Sequence, residues 1–342
     1  MSFNHTGSST ALGHDISFDH QLMGGSAVRV LNGVLMCGRE VVRYYSNNVS
    51  HQICFFWKKM SNDSGFKMLT NVLPKEYGIH KSGTSKLFMN TDLSDEIYNW
   101  NRIFLYLPFI GNISRFYIGD WSVENQNITW CEASPPIQES LFENENDFPA
   151  CSFAFNRFFY LVGGKFGVSA STIILRYDYY KNKWEIDGQV PGEPRVEASC
   201  TAFHGSILIS GGKSVETGEI LQDIHHRHVN TLKWNSPIKI IRLQRPLYKH
   251  ALVVMGDGME QRIVSAFGKT TNSTNPYVEE YIYQIKGGWS RSSMIQNPQE
   301  EFTYVVIPYD FIKGCPIQSS SHSRQLYFLL LISCFVIVLG YI

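Results

Sequence analysis

The sequence predicts an all-β fold assembled from repeated, turn-linked antiparallel sheets. Three observations predict it. The 342 residues include 18 Tyr, 22 Phe and 27 Gly; aromatic side chains favour strands, and Gly favours the tight turns between them. Two segments share one pattern: Phe153–Lys165 and Thr201–Lys213 each run apolar strand, short turn, apolar strand, Gly pair, Lys, which is the pattern of a β-hairpin. Finally, Trp130, Trp184, Trp234 and Trp289 recur at intervals of 54, 50 and 55 residues. Hydrophobic residues make up 44 % of the chain, enough for a sizeable core and too many for a disordered chain. The formal net charge is zero, which argues against a nucleic-acid partner, since such a partner needs a basic surface.

Five copies of the hairpin can be placed in chain order. The first is Ala27–Val30, a turn at Asn32-Gly33, and Val34–Gly38, with Ile53–Trp57 as a third strand. The second is degenerate: Asn101–Gly111, then Arg115–Asp120, then Trp130, with no Gly pair. The third carries Gly163-Gly164, Tyr177-Asp178 and Trp184, and the fourth carries Gly211-Gly212 and Trp234. In the fifth, His250–Met255 and Arg262–Gly268 form the hairpin, Gly268 alone survives of the pair, and Trp289 closes the copy. Beyond it, Glu301–Tyr309 reads as one more strand.

A period near 50 with two apolar runs, a Gly pair, Tyr-Asp and then Trp resembles the kelch repeat. The resemblance covers residues 26–298, and the third and fourth copies carry it most fully. It implies a kelch-type β-propeller of four-stranded sheets around an axis, occupying residues 26–315. Six blades are expected, or five with an extra strand. The closing blade would draw on Glu301–Tyr309 and on residues 1–25. In this reading Gly163, Gly164, Gly211, Gly212 and Gly268 let backbones approach closely, and Tyr177, Asp178, Trp130, Trp184, Trp234 and Trp289 fill the gaps between blades. The resemblance also implies a protein partner held by loops on one face. Members that act as ubiquitin-ligase adaptors carry a dimerisation domain ahead of the propeller, which 25 residues cannot hold. The rival class is a galactose-oxidase-like propeller enzyme, but no spacing of Tyr, Cys and His singles out its copper set.

Residue patterns for chemistry are sparse. Gly211-Gly212-Lys213-Ser214 looks like the end of a phosphate-binding loop, but Ile207 stands where that loop needs its first Gly. His225-His226-Arg227-His228 is the only histidine cluster, and it is read as a solvated outer strand that binds no metal. No catalytic residue, cofactor site or metal site is expected. The seven cysteines, Cys37, Cys54, Cys131, Cys151, Cys200, Cys315 and Cys334, form no C-x-x-C pair and read as buried free thiols.

The C-terminal region differs in composition. Residues 316–325 form a Ser-rich linker, and Leu326–Ile342 runs 17 residues without a charge. As a helix this segment would reach roughly 26 Å, the short end of a membrane span. The expectation is a single C-terminal membrane helix, outside the propeller and dispensable to it; a glycolipid-anchor signal after Ser319–Ser321 is the alternative. Met1–Thr10 has neither a basic nor an apolar stretch, so as written it is not a signal peptide. That favours a cytoplasmic-facing propeller. Six Asn-x-Ser/Thr sequons, at Asn4, Asn48, Asn62, Asn112, Asn127 and Asn272, pull toward a lumenal or extracellular one, where they would be glycosylation sites.

Overall fold

The computed structural model describes residues 22–44, 47–58, 66–69, 72–74, 88–91, 102–110, 113–136, 149–166, 169–203, 206–229, 231–234, 241–255, 262–271, 273–275, 277–282, 289–294, 303–308, 328–332 and 335–340. It is all-β. Sheet 1 is β1 (Leu22–Val30), β2 (Gly33–Tyr44), β3 (Asn47–Lys58) and β4 (Phe66–Leu69). Sheet 2 is β5 (Phe88–Thr91), β6 (Arg102–Ile110), β7 (Ile113–Ser122) and β8 (Asn127–Ala133). Sheet 3 is β9 (Cys151–Phe155), β10 (Phe158–Phe166), β11 (Ser169–Asp178) and β12 (Lys183–Gln189). A two-residue strand, β13 (Arg195–Val196), lies in the linker to sheet 4 and pairs with β16 (Lys213–Ser214). Sheet 4 itself is β14 (Ser199–Phe203), β15 (Ser206–Ser210), β17 (Asp223–His228) and β18 (Ile241–Arg242). Sheet 5 is β19 (Ala251–Met255), β20 (Arg262–Ala266), β21 (Tyr277–Ile282) and β22 (Trp289–Met294). In all five sheets the strands are paired in chain order.

The first strand of each sheet packs against the first strand of the next. Ser26 on β1 exchanges hydrogen bonds with the Met89 backbone on β5, and Asn90 on β5 donates to Ser152 on β9 at 2.7 Å. These sheets stacked side by side, each a four-stranded meander, form a β-propeller.

Alternation along the second strands explains the stacking. Leu105 and Leu107 enter a core shared with sheet 1, while Phe104 and Tyr106 enter one shared with sheet 3. Phe159 and Leu161 likewise face sheet 2, and Tyr160 and Val162 face sheet 4. A strand buried on both faces has to be apolar at consecutive positions, which is why these segments read as unbroken hydrophobic runs.

Two disulfides correct the reading of the cysteines as free thiols. Cys37 and Cys54 face each other across β2 and β3 and are bonded. Cys151 on β9 and Cys200 on β14 are bonded across the boundary between sheets 3 and 4. The near-equality of their separation, 49 residues, with the 48-residue step between the Gly pairs puts them at matching places in successive first strands. Cys131 is free and exposed.

The expected closing strand is present as β23 (Thr303–Pro308), and it packs against both β1 and β19. Its hydrogen-bonded partner differs from the expected one. β24 (Phe328–Ile332) and β25 (Phe335–Gly340) form a hairpin, and β25 pairs with β23 in parallel. These residues were expected to form a membrane helix. Phe, Ile and Val at Phe328, Ile332, Phe335, Val336, Ile337 and Val338 suit a strand at least as well as a helix. Among the described residues no helix is long and apolar enough to cross a membrane. Residues 1–21 lie outside the described residues.

Candidate functional site

The histidine strand β17 is not a solvated edge. Arg227 is 1 % exposed and reaches across to sheet 3, where its guanidinium donates to the carboxylate and the carbonyl of Asp187. Asp187 also pairs with Arg176 at 3.0 Å, and Arg176 binds Glu185. Nearer the start of β17, Arg195 grips Asp223 with its two terminal guanidinium nitrogens, at 2.7 and 2.9 Å. His225 Nε2 lies 2.5 Å from the same carboxylate, and its ring meets Trp234 edge-on. Burial raises a carboxyl pKa, but hydrogen bonds from His225 and Arg195 and the Arg195 charge outweigh it, holding Asp223 well below the usual range. Beneath this seam Tyr160 is pushed up to about 12 by burial and by the Asp187 charge, so it stays neutral. The seam is a set of charges paired with one another where sheets 3 and 4 meet, although the Nε atoms of Arg176, Arg195 and Arg227 are buried without a hydrogen-bond partner. His226 has its pKa lowered by burial and then by His228. Among the described residues no group of three His, Cys, Asp or Glu side chains could hold a metal ion.

A serine–histidine pair escaped the sequence reading. Ser210 Oγ and His250 Nε2 are 2.7 Å apart, the spacing of a nucleophile and its base. Burial, however, drops the His250 pKa to about 3, and Ser210 is 0 % exposed. The pair packs sheet 4 against sheet 5 out of reach of a substrate. Nothing in the sequence ties Ser210 to His250 until the Gly pair is recognised as the point where the two sheets meet.

The residues read as repeat markers differ in their burial. Trp184 and Tyr177 are each about 1 % exposed. Tyr177 donates to Asn182 at 2.7 Å, while Asp178 accepts the backbone N–H groups of Tyr180 and Lys181 and so caps the turn. Trp184 Nε1 donates to the Ser134 carbonyl, and Trp130 Nε1 to that of Val72, each bonding to the segment that follows the last strand of the preceding sheet. Trp234 is only half-buried and lies against Arg227, and Trp289 pairs in register with Tyr281. Gly211 and Gly212 have φ of 55° and 93°, and a Cβ on Gly211 would lie 2.3 Å from the Leu247 carbonyl. Only Gly fits there. Gly163, Gly164 and Gly268 share the positive φ. Lys213-Ser214 is the short strand β16 and not the start of a helix, so the phosphate-loop likeness ends there.

The two ends of the propeller differ. At one end the linkers between sheets are knitted to the turns between second and third strands, β13 with β16 and Tyr248 with Lys269, and to each other, Lys249 with Glu197 at 3.3 Å. At the other end lie the turns between first and second strands and between third and fourth. There Leu31, Val123, Tyr180 and Leu232 are 52 %, 38 %, 68 % and 54 % exposed, four of the six large hydrophobic side chains exposed among the described residues. Arg and Lys side chains stand at several of these turns, Arg157 and Lys181 paired with Asp178. Arg157 covers the Tyr180 ring at 5.3 Å and Arg102 the Tyr179 ring at 3.7 Å, Lys67 reaches Gln126 at 2.8 Å, and Lys181 and Lys233 are exposed. Trp121 Nε1 donates to Asn32, joining the Leu31 turn to the strand that leads into Val123.

Of the six sequons, Asn127 is exposed at the start of β8 and Asn48 lies in β3. Asn4, Asn62, Asn112 and Asn272 lie outside the described residues. A comparison with protein-family models finds no match, and no curated protein matches the sequence either.

Proposed function

We propose that this chain is a non-catalytic protein-interaction module, a kelch-type propeller whose turn-bearing end holds a protein partner. One observation carries the reading: Leu31, Val123, Tyr180 and Leu232 stand exposed at turn tips on the same end. Large apolar side chains presented at turn tips on one end give a partner surface to bury, and Tyr and Arg are among the residue types enriched where interfaces gain binding energy. The kelch assignment rests on the Gly pairs, on Tyr177-Asp178 and on the Trp spacing. In this reading the ring closes with β23 as the innermost strand of a sixth, incomplete blade.

The same proposal holds the protein at a membrane through Leu326–Ile342. What favours this is composition: the stretches Phe328–Ile332 and Phe335–Gly340 are apolar at every position but the last Gly. The outermost strand β8, by contrast, opens with exposed and buried positions in alternation, Asn127 and Thr129 out and Ile128 in. An outer strand without that alternation leaves one apolar face uncovered. A bilayer covers it.

The test of the binding face is a quadruple substitution, Leu31→Ser, Val123→Ser, Tyr180→Ser and Leu232→Ser, compared with wild type in crosslinking and affinity capture from the native cell. Partners held by this end drop out of the variant while its circular dichroism is unchanged. An unchanged partner set places binding elsewhere. Metal analysis of the purified protein tests the rival: stoichiometric copper would favour the propeller enzyme.

A further inference from the structure

We infer that this propeller matures in an oxidising secretory compartment and carries an N-linked glycan on Asn127. Two independent observations converge on it. The first is the pair of disulfides, Cys37–Cys54 and Cys151–Cys200. Cys37, Cys54, Cys151 and Cys200 are all buried, and structural disulfides persist where the surroundings do not reduce them. The second is the geometry of one sequon. Asn127-Ile128-Thr129 opens β8, the outermost strand of sheet 2. The period of two along a strand sends Asn127 and Thr129 outward together and Ile128 inward. Accordingly Asn127 and Thr129 are exposed, and Ile128 sits in the core beside Trp121. The Asn127 side-chain oxygen accepts the Ile128 backbone N–H at 2.8 Å, and the turn before it, Val123–Gln126, projects from the protein. A glycan there also shields an open sheet edge from strand addition.

The chemistry balances with partners of known class. Asn127 Nδ2 attacks C1 of an oligosaccharide carried on a lipid pyrophosphate. The Nδ2–C1 bond forms, the bond from C1 to the phosphate oxygen breaks, one Nδ2 proton passes to a base, and lipid pyrophosphate leaves. Each disulfide forms by exchange with the disulfide of a thiol oxidase: two cysteine thiols give up two protons and two electrons, and the oxidase disulfide is reduced to two thiols.

This inference does not depend on what the turn-bearing end binds. Its test uses the full chain from its native cell, digested without reduction and treated with peptide-N-glycosidase in heavy-oxygen water. The expected result is a heavy-oxygen Asp at position 127, together with peptides of Cys151 and Cys200 recovered as a linked pair. Asn127→Gln and Thr129→Val each remove one glycan step in gel mobility, whereas Thr129→Ser keeps it, which separates loss of the sequon from local misfolding. An unlabelled Asn127 overturns the glycan assignment whatever the thiols show. Cysteines recovered free and alkylated overturn the compartment.

Discussion

Trp184 Nε1 donates a 2.8 Å hydrogen bond to the carbonyl of Ser134, fifty residues earlier and one sheet back. The indole ring itself packs against Phe116 of sheet 2 and against Phe159 and Tyr177 of its own sheet. One side chain therefore fills the gap between two sheets and satisfies a carbonyl at its edge. Trp184→Ala should cost about 3–5 kcal/mol, the range for truncating a buried aromatic residue. Trp234→Ala should cost much less, because Trp234 is half-buried. Urea unfolding of the two variants checks the order, and near-equal midpoints would sink this account of the repeat.

Cys151→Ser should destabilise the propeller by about 4 kcal/mol, since the disulfide closes a loop of 49 residues and long closed loops restrict the unfolded chain most. Cys37→Ser should cost about 3 kcal/mol for its separation of 17. Unfolding with and without reductant makes the comparison. A wild-type midpoint that reductant does not move would show that neither bond is formed.

What was legible follows from which neighbours a residue has. Hairpins join residues near in sequence, so β9–β10 and β14–β15 could be read from turn residues and apolar runs. The Gly pairs could be read because the positive φ at Gly211 and Gly212 excludes other side chains. Arg227 could not: on a strand with His226 and His228 it reads as polar, and only the position of Asp187 in the previous sheet makes it a core residue. The Cys151–Cys200 bond left a signal in its near match to the repeat period, while Cys37–Cys54 left none, because the register of β2 on β3 depends on a long hairpin. The apolar turn tips were hidden because Leu31 and Tyr180 look like any core residue until the turns around them are placed.

His250 makes stability depend on pH. Its folded pKa of about 3 lies below the ordinary value of 6.5 because burial disfavours the charged form. Its contribution is therefore fully present above about pH 6.5 and is lost as pH falls toward 3. Between pH 6.5 and 4.5 the loss should reach on the order of 2–3 kcal/mol. His226, also lowered by burial, adds a loss of the same sign. Asp223, held low in the fold, begins to contribute its own loss as pH falls into the usual carboxylate range. Urea midpoints at the two pH values measure the effect. His250→Leu should flatten most of the slope, and a slope unchanged by that substitution would assign it to other groups.

The tail separates two accounts of Leu326–Ile342. Deleting residues 320–342 removes β25, which pairs with β23, and β24, which pairs with β25. If the segment is a membrane contact, the truncated protein leaves the membrane fraction as a soluble, β-rich propeller. That outcome requires the rest of the propeller to stand without the hairpin that pairs with β23. The five four-stranded sheets and the shared cores of sheets 1 to 5 all lie before residue 295. β23 also contacts β1 and β19 directly. An uncharged run of 17 residues is an aggregation hazard in water, so removing it should raise solubility. If the hairpin instead belongs to the last blade, its loss uncovers the edge of β23 and opens the join between the first and last sheets. The truncated protein would then aggregate or unfold at a lower temperature, and the membrane proposal would fall.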